Sequence, residues 1–227
     1  MKLKLFFLLG TIITLNVLTI AQISGNKALP FSKASIHLEQ NATDGDVELV
    51  LEIIADEEGL VYLSVVSPNG KKIMEFESPD KEIMGIRQFR FESPEPKNVA
   101  SLKSAYPEGY YTFTGETTSG KKLSSKSILS HNLPNTVTII QPKPNSKDFN
   151  TSNLKIAWTT VRDAASYILY VENDDFEFNI TLPGSKTMIT LPSGYLQPGT
   201  KYMLGIGTVS KNGNTSFVET SLMTGKN

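Results

Sequence analysis

The chain has 227 residues, with 22 Lys and Arg against 23 Asp and Glu, 39% hydrophobic residues, one Trp, two His and no Cys. That balance fits a folded globular protein and excludes collagen-like and broadly disordered chains, while a net charge of −1 offers no positive field for nucleic-acid phosphates. The missing cysteine excludes disulfides, thiolate metal centres and a cysteine nucleophile, and two histidines leave little scope for histidine chemistry.

At the N-terminus, Lys2 and Lys4 precede an apolar stretch from Leu5 to Ile20, and Thr19 and Ala21 are the small residues of a cut after Ala21. This is the layout of a secretory signal peptide. Gly10, Thr11, Thr14 and Asn16 interrupt the stretch, whereas a membrane anchor wants roughly 20 predominantly apolar residues. Residues 1–21 are therefore expected to be cleaved and 22–33 to form an N-terminal extension. Loss of Lys2 and Lys4 takes the net charge from −1 to −3. The mature chain is expected to be secreted or periplasmic, without a membrane span. Asn41, Asn150, Asn179 and Asn214 begin Asn-x-Ser/Thr triplets, which accept glycans only in a eukaryotic secretory pathway. An exported chain with no cysteine favours a bacterial source, and the four read as turn and strand residues.

Short alternating segments follow, separated by turn residues, the pattern of a β-sandwich. Val47, Leu49, Leu51 and Ile53 share one face of a strand with Glu48 and Glu52 on the other. A helical face of Val47, Val50, Leu51 and Ile54 competes, but β-branched enrichment and the short span favour strand. Strands are expected at 60–66 and 71–77, joined by Pro68-Asn69-Gly70, whose Asn-Gly tolerates positive φ. Residues 87–92 alternate Phe89 and Phe91 with charged neighbours. Residues 98–106 space Val99, Leu102 and Ala105 as a short helix or irregular crossover does. A hairpin of 110–116 and 123–129 closes this unit. Leu133-Pro134-Asn135 and Gln141-Pro142-Lys143-Pro144 then mark a boundary near residue 135, with a short linker and a small polar contact between the units.

In the second unit, Leu154-Lys155-Ile156-Ala157-Trp158 ends a strand on Trp, 164–171 and 176–182 are further strands, and Leu196-Gln197-Pro198-Gly199-Thr200-Lys201-Tyr202 follows. Over residues 136–224 this resembles a fibronectin type III domain, whose Leu-x-Pro-Gly-Thr-x-Tyr corner the last segment matches. Trp158, Tyr167, Leu196, Pro198 and Tyr202 are the structural residues of that reading: the Trp fills a small two-sheet core and the Tyr hydroxyl bonds backbone at the corner. In the first unit, segments such as Asn41–Asp46, Phe91–Pro96 and Tyr106–Phe113 resemble those of exported bacterial Ig-like sandwich proteins of unassigned function. The expectation is an all-β chain: a signal peptide, an Ig-like sandwich over 34–135 and a fibronectin type III-like sandwich over 136–227.

Little in the sequence points to bond-making chemistry. His37 and His131 begin no ligand set, and no Gly-x-Ser-x-Gly turn accompanies them. Gly70-Lys71 and Gly120-Lys121 sit in hairpins, not before helices, so nucleotide binding has no support. Glycoside chemistry needs only two acids held by the fold, and Asp44, Asp46, Asp56, Glu57, Glu58, Glu92 and Glu95 are its candidates. Asp44 and Asp46, flanking Gly45, are also the first candidates for calcium, with a solvated turn as the plainer reading. On the strand of Tyr110, Tyr111 and Phe113, the latter two face the core and Tyr110 points out as a candidate for stacking on a sugar or peptide. The expected function is non-enzymatic binding or scaffolding toward a protein or glycan partner, without cofactor; the alternative is a carbohydrate-active or accessory protein using loop carboxylates. N-terminal sequencing of the exported protein should begin at Gln22, and a mature chain still starting at Met1 would overturn the expected export.

Overall fold

The computed structural model describes residues 27–55, 57–80, 85–144, 146–147, 149 and 151–226. The expected signal peptide, Asp56 and Asn150 lie outside the described residues. The first half builds β1 (Lys33–Asn41), β2 (Asp46–Ile54), β3 (Leu60–Val66), β4 (Lys72–Glu77), β5 (Gln88–Glu92), α1 (Val99–Ala105), β6 (Gly109–Thr117) and β7 (Lys122–Leu129). The second builds β8 (Ile139–Gln141), β9 (Leu154–Trp158), β10 (Ser166–Asn173), β11 (Phe176–Pro183), β12 (Met188–Leu191), β13 (Lys201–Val209) and β14 (Thr215–Met223). The described residues are all-β apart from one short helix.

Alternation decides each strand's inward face. Val47, Leu49, Leu51 and Ile53 of β2 are buried with Ile36 and Leu38 of β1, against Leu63, Tyr111 and Phe113 of the opposing sheet. Tyr167, Leu169 and Val171 of β10 likewise meet Ile156 and Trp158 of β9 in a second core. Phe31 belongs to the first core, and Leu29 bridges in parallel to Leu123, so residues 29–31 of the expected extension pack with the first unit. Asn98 caps α1 by accepting from the Ser101 amide at 2.9 Å while the Ser101 hydroxyl accepts from the Asn98 amide, and Leu102 is the helix's buried residue.

The two halves share one plan. In the first, β4-β3-β6-β7 packs over β1-β2-β5; in the second, β11-β10-β13-β14 packs over β8-β9-β12. Strand for strand, the order is the same. The likeness extends to the turn before the third strand of the four-stranded layer. Tyr202 accepts the Gln197 amide at 2.8 Å, and Tyr111 donates to the Pro107 carbonyl at 3.0 Å. Both rings are buried, and each follows a proline, Pro198 or Pro107, by four residues. Burial holds the Tyr111 hydroxyl at a pKa of about 12.

The units are joined by more than a linker. β1 pairs in parallel with β14, in the register Glu39 to Thr215, Gln40 to Ser216 and Asn41 to Phe217. One seven-stranded sheet, β11-β10-β13-β14-β1-β2-β5, therefore runs through both sandwiches. The Ala42 amide continues the ladder by donating to the Phe217 carbonyl at 2.9 Å, and the Glu219 amide donates to Thr43 Oγ1 at 2.8 Å. At the centre is Asn214, 1% exposed. Its Oδ1 accepts the Leu38 amide at 2.9 Å, and its Nδ2 donates to the Ser130 and Asn132 carbonyls at 2.8 and 2.9 Å. The expected small polar contact is polar indeed, but it is a sheet ladder fastened by a buried amide. That burial also leaves no room for a glycan on Asn214.

Replacing Asn214 by Ala strands the Leu38 amide and two carbonyls, which should cost about 1–3 kcal/mol. A denaturant melt of Asn214→Ala should show a lower midpoint and separate transitions for the two halves; an unchanged single transition would contradict the role assigned to this amide.

Candidate functional site

The shared sheet turns one face outward, and the two units meet on it. There β1 places Lys33, Ser35, His37 and Glu39 in alternation, β2 adds Glu52 and β5 adds Arg90. Arg90 gathers three carboxylates, reaching Glu39 at 3.0 Å, Glu92 at 2.8 Å and Glu52 at 3.5 Å. Lys33 holds the other oxygen of Glu52 at 2.7 Å, and His37 Nε2 lies 2.9 Å from Glu39 Oε1. Beneath this network His37 and Val50 are buried. Burial works to raise the Glu39 carboxyl, but the His37 hydrogen bond and the Arg90 charge outweigh it and hold the group below the usual carboxylate range. A groove of about 450 Å³ runs over these residues, with Ser166, Asn179 and Thr181 from the second unit on its far wall.

Further along the same face, two close approaches decide the sequence of β13. A Cβ on Gly205 would lie 2.1 Å from the Tyr170 ring, and one on Gly207 would lie 2.5 Å from the Phe217 ring. The register pairs Gly205 with Tyr170 and Gly207 with Phe217, so each aromatic lies over its cross-strand glycine. The two rings are 5.9 Å apart. Tyr170 donates to Glu219, and burial followed by that bond pushes its hydroxyl well above the usual tyrosine range.

The residues picked out from the sequence are scattered over the molecule. Asp44 and Asp46 form an exposed turn in which Asp44 accepts from the Asp46 amide at 3.0 Å and from Asn41 Nδ2 at 3.2 Å. Among the described residues no group of three or more His, Asp and Glu is placed to hold a metal ion. Glu58 is gripped by Lys121, by Ser119 at 2.5 Å and by Thr117 at 2.8 Å. These hydrogen bonds, Lys121 first, lower its pKa to about 2. Glu92 is committed to Arg90, and Glu57 and Glu95 are exposed. His131 lies 2.8 Å from the Tyr106 carbonyl.

Tyr110 is 63% exposed on β6, opposite the exposed Ile128 of β7. Trp158 is 2% exposed, edge-on to Tyr167 with centroids 5.6 Å apart, and Tyr167 accepts the Val161 amide at 2.8 Å. Leu196 is buried, whereas Pro198 is exposed and acts through the backbone of its turn. The Arg90 network and Asn214 were not visible as a group in the sequence. The network's members meet through the antiparallel β1–β2 and β2–β5 pairings, and Asn214 reaches the first unit through the parallel pairing of β1 with β14.

No protein-family model and no curated protein matches the chain. Among solved structures it is similar to a two-domain fibronectin type III segment of chicken tenascin, 20% identical, covering 87% of this chain and 98% of that one at a TM-score of 0.33. It is also similar to the fibronectin(III)-like modules of Clostridium thermocellum CbhA, 10% identical over 86% of this chain and 91% of that one, with a TM-score of 0.35. The FN1–FN3 domains of chicken CNTN1 are 13% identical over 88% of this chain and 65% of that one, at 0.35. The strand order, registers and two cores of this chain define its fold.

Glu39 and Glu58 are both depressed, so each adds stability that is present above the ordinary glutamate value of 4.5 and lost as pH falls through the folded value, about 2 for Glu58. The melting temperature should therefore drop on acidification between about pH 4.5 and about 2, and Glu58→Gln should flatten that drop. An equal acid dependence in Glu58→Gln and the parent chain would contradict this.

Proposed function

We propose that this chain is an exported, non-enzymatic binding or scaffolding protein that uses two fibronectin type III-like sandwiches, bounded near residue 135, to recognise a protein or glycan partner outside the cytoplasm. The observation that carries the reading is the seven-stranded sheet common to both sandwiches. A sheet that crosses from one unit to the next holds two binding faces at one angle, so a partner that touches both meets a preorganised surface without the entropy of orienting two free modules. Export rests on the layout of residues 1–21, and the fibronectin-like reading of the second unit on Trp158, Tyr167 and the Tyr202 corner.

Support for binding over catalysis comes from how the carboxylates are used. Glu39, Glu52 and Glu92 neutralise Arg90, and Glu58 is locked by Lys121 and two hydroxyls. Acids spent in this way steady a surface rather than move protons. Among the described residues no helix is long and apolar enough to cross a membrane.

The test is capture with residues 22–227 as bait against envelope and extracellular fractions of the source cell, alongside a glycan array. A saturable partner in either arm, lost when the two halves are supplied as separate fragments, is the expected result. Turnover of a glycan by the purified chain, or no saturable partner in both arms, would overturn the reading.

A further inference from the structure

Three features of the first unit converge at β5. This strand closes the seven-stranded sheet and, among the described residues, hydrogen-bonds along its length only to β2. Its other edge presents backbone groups of the kind an added strand can use. Next to that edge the sandwich stands open among the described residues. A slot of about 190 Å³ reaches inward between the sheets, walled by Leu49, Leu51, Ile73, Met74, Phe91 and Tyr106. Phe91 faces inward opposite Leu51, yet keeps 36% of its surface exposed, and among the described residues no strand beyond β5 covers it.

The third feature is charge. On the outward face beside the slot lie Asp46, Glu48 and Glu92, and Glu95 follows on the segment after β5. Arg90 answers Glu92, but Asp46, Glu48 and Glu95 have no ion-pair partner among the described residues. Glu48 also stands directly across from Glu39 in the β1–β2 register. Like charges so placed repel. Burial and then the charges of Glu92, Asp46, Glu39 and Glu95 hold the Glu48 carboxyl above its usual range, so this is negative charge that the fold leaves uncompensated.

A strand laid along β5 would send alternate side chains to opposite faces, one set into the apolar slot and the other toward the acids. The geometry points to β5 as the docking edge for an extended segment of a protein partner that alternates apolar with Lys or Arg residues. Apolar side chains of that segment enter the slot beside Phe91, its cations lie at the Glu92 end of the edge, next to Glu95 and within the field of Glu48 and Asp46 across β5, and its backbone extends the shared sheet. This inference rests on the binding-module reading above and names the partner chemistry for one edge of it.

The probe is a synthetic capped peptide alternating lysine with valine around a central phenylalanine, with a second peptide carrying glutamate for each lysine. Titration into the full mature chain should shift the amides of Phe91 and Glu92, with the glutamate peptide bound about tenfold more weakly or worse. Glu48→Lys should also weaken the lysine peptide about tenfold, and because it replaces a repulsion with Glu39 by an attraction, the variant should fold at least as stably as the parent. No binding of the lysine peptide, equal binding by Glu48→Lys, or shifts that map away from β5 would overturn the site. A natural partner held equally by the parent and by Glu48→Lys removes this site and leaves the binding-module reading intact. Peptide binding at β5 with no partner captured does the reverse.

Discussion

The parallel pairing of β1 with β14 is the constraint on which the rest of the molecule depends. Two small sandwiches without disulfides must each be held by an apolar core, and modules in tandem ordinarily move against one another when their contact is small and polar. Here the contact is also a hydrogen-bonded ladder. β14 would otherwise expose an unpaired edge at residues 215–217, and β1 covers it. Asn214 completes the join because an amide side chain can accept from a strand N–H and donate to two carbonyls at once, which matches the Leu38 amide and the Ser130 and Asn132 carbonyls. The linker is thereby pinned at its start by the same residue that pins the strands.

From that junction follow the properties of the outer face. Because β1 lies between β14 and β2, residues of the second unit stand beside Lys33, His37 and Arg90, and the ion network sits over the apolar Val50 of β2. Charged groups with several partners each, as Arg90 has, are held in place better than isolated surface pairs, which contribute little. The glycines of β13 belong to the same surface. Without a Cβ at 205 and 207, Tyr170 and Phe217 lie flat against the backbone and return apolar contact that the glycines themselves cannot make. Among the described residues, β5 forms one edge of this sheet and β11 the other.

Much of this architecture was legible in the sequence. Alternation of apolar and polar residues located β2, β3, β9 and β11 to within a residue or so, since a period of two is imposed directly by the pleat. Trp158, Tyr167 and Tyr202 announced a sandwich core because large rings with one polar handle have few other uses in a small β unit. The strand at Lys33–Asn41 was harder to see: only Ile36 and Leu38 alternate cleanly, and the Asn-Ala-Thr-Asp-Gly-Asp turn that follows dominates the pattern. In β13 the two glycines dilute the apolar signal, and their reason lies on neighbouring strands. The common strand order of the two halves left almost no trace in residue identity beyond the proline-to-tyrosine spacing. Pairing between strands distant in the chain has no local signature, so neither the shared sheet, which joins β1 to β14, nor the Arg90 network, which joins β1 and β2 to β5, was readable from it.

Native-state amide hydrogen exchange tests the shared sheet most directly. If β1 and β14 form one continuous ladder in solution, the Leu38 amide, bound to Asn214 Oδ1, and the Ala42 amide, bound to the Phe217 carbonyl, should exchange as slowly as amides in the centre of β2 and β13. Fast exchange at both positions, with the cores still protected, would mean two independent sandwiches on a short linker and would contradict the account.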